Sequence, residues 1–396
     1  MTPVKAGLIG CGAISGKYLE NSKKFAAFDI VAVADLRREA AQARAAEYDI
    51  PLACTPDELL ANPEVEVVIN LTPHQAHGPV GIATLEAGKS PYVEKPLAVH
   101  RAEGQRMLEL AAAKGLRVGA APDTFFGGAW QTARKLIDDG AIGRPVAAMA
   151  CLHAFKKPQA APQPADGGYV SFYRTDFFEF GVTWGFDRAP YYLHALIHLL
   201  GPVQRVTGSA QQFWGQVEEF KDIVKTPTHF AGVLDFANGA VGTMVITSDV
   251  HATGLPHIEV YGTEGSLRCI DPNNFSGPIL LRTAAGAELK PVDCPFGYND
   301  NSRGVGIADL AVGLRHGRPH RADGAMGYHV IDIVHALHEA SAEGRHVELQ
   351  STCAQPAPLP LGLTDWSERD RKSMDVQREL APKLFALPGV MAFPIL

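Results

Sequence analysis

The first glycine turn of the chain lies between an apolar run and a helical segment. Gly10 permits the tight turn, and Gly12 lets backbone amides at the start of the helix approach a pyrophosphate. Small Ser15 stands where a third glycine is usual. These features predict a dinucleotide site formed by Gly10, Cys11, Gly12, Ala13, Ile14 and Ser15. A purely structural turn is the alternative, because glycine turns between strands and helices are common.

Asp35 ends the next apolar run, 20 residues after Ser15. A carboxylate at this point accepts hydrogen bonds from both adenine-ribose hydroxyls and repels a 2′-phosphate, which favours NAD over NADP. Arg37 and Arg38 weaken that preference, because a guanidinium can stack on adenine or bind a phosphate. We expect Asp35 and Arg37 to contact the cofactor. The other interpretation of Asp35 is a cap for the following helix.

Two motifs after later apolar runs resemble signatures of one enzyme family. The stretch Thr72-Pro73-His74-Gln75-Ala76-His77 is similar to a Thr-Pro-Asn-x-x-His turn, and Glu94-Lys95-Pro96 matches a Glu-Lys-Pro signature. With the glycine turn, they make the chain similar to the Gfo/Idh/MocA oxidoreductases, the glucose-fructose oxidoreductase and inositol dehydrogenase type. The resemblance continues through 133–143 and 318–320 and leaves the tail after residue 350 unmatched. It implies further NAD contacts from Thr72, Pro73, His74, His77, Glu94 and Lys95.

By this resemblance, Lys95 reaches the reacting hydroxyl and the nicotinamide ribose. The chemistry agrees, since an ammonium that binds the oxygen stabilises negative charge as hydride leaves a secondary alcohol, and it can relay the proton. The alternative is a solvated lysine at a strand end, where most lysines lie. The resemblance also predicts a cis peptide before Pro96 that helps to aim Lys95 inward.

A second family motif, Asp-x-Gly-x-His followed three residues later by Asp, aligns with the stretch 187–194. Asp187 matches, whereas Tyr191 replaces the histidine and His194 replaces the later aspartate. On a helix, positions i, i+4 and i+7 can point to one side, so the resemblance assigns Asp187, Tyr191 and His194 to catalysis beside Lys95.

The replacement of histidine by Tyr191 leaves the proton acceptor open. An imidazole accepts a proton near neutral pH, whereas a tyrosine must be shifted or act as an acid. Either Tyr191, helped by Lys95, takes the proton, or His194 does so one turn further on. His194 and His198 also have the i, i+4 spacing of metal ligands, but no third ligand at matching spacing supports a metal. We expect a packed helix histidine there and no metal site.

Polar residues near the family's pocket are candidates for substrate contact. They are Asp123, His153, Lys156, Tyr173, Arg174 and Asp176. Such a mixture of donors and acceptors suits a polyhydroxylated ligand, and the basic members leave room for an acidic or sulfonated sugar. Each could equally be a solvated loop residue.

The elements that position these residues alternate β-rich runs with helical segments up to residue 123. The runs are 4–9, 30–34, 65–71, 91–93 and 118–121, and the helical segments are 17–25, 38–48, 80–87 and 102–114. Apolar residues nearly fill the runs, as in strands that are covered on both faces. The pattern predicts an α/β, Rossmann-type domain at 1–123 with a doubly wound parallel sheet.

The alternation of β-rich runs and helical segments ends after Asp123. A helix at 130–138 leads into strands joined by tight turns at 238–239, 263–265 and 284–286, and helices follow at 190–200, 307–316 and 327–343. The turns predict an α+β domain at 124–350 with a large, mostly antiparallel open sheet. The stretch 154–170 is expected to be a long loop beside the site or a mobile lid. Residues 351–396 are expected to be a tail, with one helix at 367–380, that contacts the body or a neighbouring subunit.

Length and composition limit the class of protein. At 396 residues, the chain suits two domains, and a formal net charge of −7 without a basic run excludes a typical nucleic-acid binder. The six cysteines are scattered, without the paired spacing of zinc or redox sites, which fits a reducing compartment. No signal peptide or spanning apolar stretch is visible, so we expect a cytoplasmic protein without a membrane partner.

These observations predict an NAD-dependent oxidoreductase that transfers hydride between a hydroxyl of a sugar, sugar acid or cyclitol and the nicotinamide. The alternative from the same fold is an NAD-dependent glycosidase, which oxidises a ring hydroxyl transiently, eliminates the aglycone, adds water and returns the hydride. A sensor that binds a sugar or NAD without redox chemistry is a third class, which the presence of Lys95 disfavours. As in the family, the open sheet face suggests a homodimer or homotetramer.

Overall fold

The computed structural model describes residues 2–155, 158, 184–283, 287–361 and 363. Its first sheet has six parallel strands in the order β3-β2-β1-β4-β5-β6. The strands are β1 Val4–Ile9, β2 Phe28–Ala34, β3 Leu52–Cys54, β4 Val67–Asn70, β5 Ser90–Val93 and β6 Gly119–Ala120. The connecting helices are α1 Ser15–Ser22, α2 Arg38–Tyr48, α3 Pro56–Ala61, α4 His74–Glu86 and α5 Arg101–Lys114. The predicted doubly wound parallel sheet is confirmed.

The strand order reverses next to β1, which has β2 on one side and β4 on the other. In open parallel sheets, ligands bind in the crevice outside the carboxyl ends of the strands at such a point. The glycine turn that follows β1 and the loop that follows β4 both lie at this edge.

Two short elements of this sheet were not predicted. Leu52–Cys54 adds β3 at the edge of the sheet, and Pro56–Ala61 forms α3. Thr55 accepts a hydrogen bond from the Glu58 amide, and the Glu58 carboxylate accepts one from the Thr55 amide. This reciprocal capping box stabilises a helix that is too short to show apolar periodicity.

The second sheet has nine strands in the order β14-β13-β12-β11-β7-β10-β9-β8-β15. They are β7 Pro145–His153, β8 Val203–Gln211, β9 His229–Phe236, β10 Val241–Thr247, β11 Ile258–Gly262, β12 Ser266–Cys269, β13 Leu280–Arg282, β14 Lys290–Pro291 and β15 Val347–Glu348. Only β7 and β10 are parallel neighbours within this sheet. The predicted, mostly antiparallel sheet and its turns at 238–239 and 263–265 are confirmed, while 284–286 lie outside the described residues.

Four helices complete the described part of the chain: α6 Gly128–Asp138, α7 Trp184–Leu200, α8 Val305–His316 and α9 Gly324–Glu343. Helix α7 begins six residues before the predicted start at Pro190, because Phe186 and Ala189 are buried in the core and this packing outweighs the lost backbone hydrogen bond of the proline. No helix in the described ranges is long and apolar enough to cross a membrane.

Helices α8 and α9 return to the first sheet. The amide of Ala120 in β6 donates to the carbonyl oxygen of Ala322, and the imidazole of His320 lies 3.0 Å from the Val118 carbonyl oxygen. The fully buried Asp309 of α8 pairs with Arg318 and Arg321. The Arg318-Pro319-His320 motif therefore fastens the end of the second domain to the first, so the two cores are continuous.

The beginning of the predicted tail packs on the body. The amide of Leu359 donates to Gln131 Oε1 at 2.7 Å, and Arg134 Nη1 donates to the carbonyl oxygen of Pro356 at 3.0 Å. Leu359 and Leu361 are buried. Residues 364–396, with the helix predicted at 367–380, lie outside the described residues.

Candidate active site

The glycine turn has the backbone that its sequence predicts. Gly10 has φ of 102°, and a Cβ there would approach the carbonyl oxygen of Leu71 to 2.6 Å. A Cβ added at Gly12 would meet no heavy atom within 4 Å. Gly10 is therefore required by the fold, whereas Gly12 leaves open space in front of the N-terminus of α1.

Asp35 is tied to this turn by its carboxylate. Oδ2 accepts a hydrogen bond from the Cys11 amide at 2.9 Å, and Oδ1 accepts one from the Arg37 amide at 2.9 Å. Asp35 does not cap α2, since the residue before that helix is Arg37. The neighbouring Arg38 lies against Glu58, with Nη1 and Oε1 3.5 Å apart. The Asp35 carboxylate therefore lies at the end of β2 against the glycine turn, on a side chain that is 17% exposed.

His77 joins the two loops that follow β4 and β5. Its Nδ1 lies 2.6 Å from the carbonyl oxygen of Pro96, and its Nε2 lies 2.8 Å from that of Thr72. The ring is 1% exposed, and burial lowers its pKa despite these two acceptors. His77 therefore holds the two loops together, and its predicted cofactor contact stays a prediction. His74 is also buried, while Thr72 and Pro73 are the more accessible members of the turn.

The Glu94-Lys95-Pro96 loop is fixed from within. Glu94 is buried, and it accepts hydrogen bonds from the Tyr18 hydroxyl at 2.9 Å and from the Lys95 amide at 2.8 Å. The peptide before Pro96 is cis, as predicted. The loop directs the Lys95 side chain towards α7.

Lys95 meets Asp187 and Tyr191, the residues of α7 expected beside it. Its Nζ donates to Asp187 Oδ1 at 2.5 Å and to the Asp187 carbonyl oxygen at 3.0 Å, and lies 5.3 Å from the centre of the Tyr191 ring. Burial opposes the charge of Lys95, but Asp187, Tyr191 and Glu94 outweigh it and raise the pKa of the ammonium. Lys95 is therefore a protonated hydrogen-bond donor at neutral pH.

His194 does not join this group. Its ring is 2% exposed, Nδ1 lies 2.8 Å from the carbonyl oxygen of Pro190, and Nε2 has no hydrogen-bond partner among the described residues. Burial lowers its pKa to about 4. His194 faces Phe125 in the core, with ring centres 6.3 Å apart. The structure thus favours the packed helix histidine over the catalytic role predicted for His194.

Comparisons with known proteins identify the family of the chain. A model described as the oxidoreductase family with an NAD-binding Rossmann fold matches residues 4–121, and one described as the GFO/IDH/MocA C-terminal domain matches residues 130–268. The chain belongs to the Gfo/Idh/MocA oxidoreductase family. The resemblance in the sequence is thereby confirmed.

Individual relatives of the family differ in how much of the chain they match. The 1,5-anhydro-D-fructose reductase of Ensifer adhaerens is 26% identical over 353 residues, 87% of this chain and 98% of that protein. An inositol 2-dehydrogenase of Salmonella typhimurium is 33% identical over 147 residues, 36% of this chain and 44% of that protein. A levoglucosan dehydrogenase, solved with NADH and levoglucosan, shares the fold with a TM-score of 0.74 at 21% identity, over 88% of this chain and 100% of that one.

The residues present fit the NAD that Gfo/Idh/MocA enzymes bind. The open space at Gly12 admits a pyrophosphate at the N-terminus of α1, and the Asp35 carboxylate at the end of β2 suits the adenine ribose. Arg37 lies close by, with Nε 3.9 Å from Asp35 Oδ1, on a side chain that is 67% exposed. The cofactor prediction is confirmed at the level of the family.

The structure does not bring two predicted substrate contacts to Lys95. Asp123 is 1% exposed, and its Oδ2 accepts hydrogen bonds from the amides of Gly304 and Gly306 at 2.8 and 3.0 Å, so it caps α8. His153 contacts Cys151, with Nδ1 and Sγ 2.8 Å apart. Side chains alternate along β7, so this pair lies on the outer face of the second sheet, whereas the buried Ala150 lies on the other face. The other candidates, Lys156, Tyr173, Arg174 and Asp176, lie outside the described residues.

One functional candidate was missed in the sequence. Arg303, just before α8, lies near enough to Tyr191, Tyr18 and Glu94 for these groups to act on its guanidinium. Nothing in the sequence marks this arginine except its place before a glycine and a helix. Its position depends on contacts between segments almost 300 residues apart.

Proposed function

We propose that this enzyme transfers hydride between NAD and a secondary hydroxyl of a sugar, sugar acid or cyclitol. The contact between the Lys95 ammonium, Asp187 and Tyr191 at the carboxyl edge of the first sheet carries the proposal. It lies at the same edge as the glycine turn and Asp35. The relatives named as a reductase and dehydrogenases of sugars and inositol support this class of substrate.

Lys95 binds the substrate oxygen in this proposal. Since its pKa is raised, the ammonium donates a hydrogen bond to the hydroxyl and stabilises negative charge on the oxygen as the carbonyl forms. Asp187 holds Nζ in place and compensates its charge, and Arg188 supports Asp187 with Nε 2.9 Å from Oδ2. NAD, when bound, supplies the hydride acceptor.

Tyr191 carries the proton in this proposal. Its ring packs beside the Lys95 ammonium, and it is 7% exposed. A phenol next to a cation can exchange a proton with the substrate oxygen that the same cation binds. His194 lies in the core and does not compete for this role.

An absorbance assay tests the proposed function. We expect NADH to form when the protein is mixed with NAD and members of a panel of aldoses, uronic acids, aldonic acids and inositols. The same panel with NADP should give a lower rate, because Asp35 repels a 2′-phosphate. Release of nitrophenol from nitrophenyl glycosides without net NADH would replace the proposal with the glycosidase alternative.

We propose that the outer face of the second sheet joins copies of the chain into a homodimer or homotetramer. Thr207, Val233, Thr243 and Met149 lie side by side across four strands on that face, and all are at least partly exposed. An open sheet face of mixed apolar and hydroxyl side chains suits a partner surface. Light scattering should give a mass of two or four chains.

We also propose a cytoplasmic location. All six cysteines are free, and five of them are buried. Free thiols are typical of proteins in a reducing compartment. Localisation of a tagged full-length chain tests this.

A further inference from the structure

A second cation, Arg303, lies just before α8 and is held by uncharged side chains. Its Nη2 donates to Asn273 Oδ1 at 2.5 Å, and its Nη1 donates to Asn301 Oδ1 at 3.0 Å. The guanidinium carbon lies 5.9 Å from the centre of the Phe275 ring. These neutral neighbours fix the plane of the guanidinium without compensating its charge.

The backbone of Arg303 is fastened to the helix that also supports Lys95. Asn21 Nδ2 donates to the carbonyl oxygen of Arg303 at 3.0 Å. Tyr18, one turn earlier on α1, donates to Glu94, whose other oxygen binds the Lys95 amide. One face of α1 therefore sets the position of both cations. Tyr191 is a neighbour of each of them.

The carboxylates around Arg303 are bound by other donors. Glu94 accepts from Tyr18 and Lys95, and Asp123 accepts from two amides at the start of α8. Among the described residues, the guanidinium of Arg303 donates to the amide oxygens of Asn273 and Asn301 and not to a carboxylate. Lys95, in contrast, is paired with Asp187. Arg303 thus keeps hydrogen-bond donors for a group that enters the cleft, although Glu94 and Asp123 act on its charge.

We propose that Arg303 binds an acidic group of the substrate, a carboxylate, while the hydroxyl to be oxidised lies at Lys95. The planar guanidinium can bind a carboxylate through two parallel hydrogen bonds, which a neutral sugar does not offer. This inference rests on the proposed function and narrows its substrates to sugar acids.

A binding measurement tests this without turnover. The protein loaded with NADH is titrated in a calorimeter with D-glucuronate, D-galacturonate and D-gluconate, and with the neutral D-glucose and D-galactose. At least one acid should bind ten-fold or more tightly than its neutral counterpart, and added salt should reduce the difference. Arg303→Met should reduce this difference in affinity to two-fold or less. Arg303→Lys should keep part of the difference, because the positive charge remains while the two parallel guanidinium donors are lost.

Arg345→Met serves as the matched control, since Arg345 pairs with the exposed Glu343 at the end of α9, and it should leave every affinity unchanged. If no acid binds more tightly than its counterpart, or if Arg303→Met leaves the difference intact, the inference is wrong. It is also wrong if Arg303→Met weakens NADH binding more than five-fold, because Arg303 would then serve the cofactor. NADH formation from neutral sugars alone would contradict the inference but keep the proposed function. Selective binding of acids without any turnover would support the inference and contradict the proposed function.

Discussion

At the scale of single residues, the charge of Lys95 decides its chemistry. A lysine whose pKa is raised cannot serve as a base at neutral pH, so in the proposed mechanism it contributes the ammonium that binds the substrate oxygen. Replacing it with methionine keeps much of the side-chain volume and removes the donor. We expect Lys95→Met to reduce the rate of NADH formation by about 10³-fold or more, in the range of a lost transition-state donor.

NAD affinity separates this effect from damage to the fold. The proposed positions of the pyrophosphate and adenine ribose are at Gly12 and Asp35, so Lys95→Met should bind NAD within a few-fold of the original protein. Lys221→Met, on an exposed lysine that pairs with Glu218, is the matched control and should keep full activity. Retention of more than a tenth of the rate in Lys95→Met would remove Lys95 from the mechanism.

Tyr191 and His194 lie on the same helix but differ in their surroundings. Tyr191→Phe keeps the ring against Lys95 and removes only the hydroxyl, so we expect a loss of about 10² to 10⁴ in rate. His194→Gln should change the rate less than three-fold, because its ring lies in the core. Steady-state rates of the two variants at saturating NAD check this. A dead His194→Gln beside an active Tyr191→Phe would reverse the assignment.

The sequence predicted Lys95 and Asp187 because each lies in a short family motif whose backbone is fixed locally. It could not separate Tyr191 from His194, since helical spacing says which residues share a side but not what packs against each turn. It missed Arg303, whose place beside Tyr191 depends on Asn21, Asn273 and Phe275 from distant segments. Site residues in local motifs could therefore be predicted from the sequence, whereas those placed by contacts between distant segments could not.

At the scale of elements, Asp123 links the end of β6 to the start of α8. Its carboxylate accepts from two amides that a helix start otherwise leaves unpaired. Asp123→Ala should lower the free energy of unfolding by about 2 kcal/mol, because it leaves buried amides unsatisfied. Asp123→Asn keeps one acceptor oxygen and should leave KM for the substrate within three-fold. Urea unfolding and steady-state kinetics measure the two effects.

The opposite results for these two variants would support the predicted substrate contact of Asp123. In that case, Asp123→Asn would raise KM more than ten-fold while the unfolding free energy of Asp123→Ala stayed unchanged.

The main elements of both sheets could be predicted because each has a strong local signal. Buried parallel strands such as β1 are nearly all apolar, and Asn238-Gly239 marks the hairpin of β9 and β10. The short β3 has no such signal. Helix α3 was missed although Thr55 and Glu58 have the residue types and spacing of a capping box. The start of α7 was misplaced because Pro190 indicates a first turn when judged locally, whereas burial of Phe186 extends the helix.

At the scale of the whole molecule, the helices that build the cleft also bury titratable groups. His194, His329 and His338 lie between α7, α9 and the second sheet, and burial lowers the pKa of each to about 4. All three are neutral in the native protein at pH 5. Burial has the opposite effect on Asp123, whose pKa it raises to about 6.

These buried histidines make stability depend on pH. An unfolded histidine titrates near 6.5, so between pH 6.5 and 4 the unfolded chain binds more protons, and stability falls as the pH falls. Between pH 7.5 and 5, each such histidine lowers the free energy of unfolding by about 2 kcal/mol. Asp123, whose pKa is raised, offsets part of this loss. We expect His194→Gln to make the loss of unfolding free energy over this interval about 2 kcal/mol smaller. Urea unfolding at both pH values checks this, with His346→Gln, on an exposed histidine, as the control. An unchanged loss in His194→Gln would show that His194 is protonated in the native protein and would reopen its role as the proton acceptor.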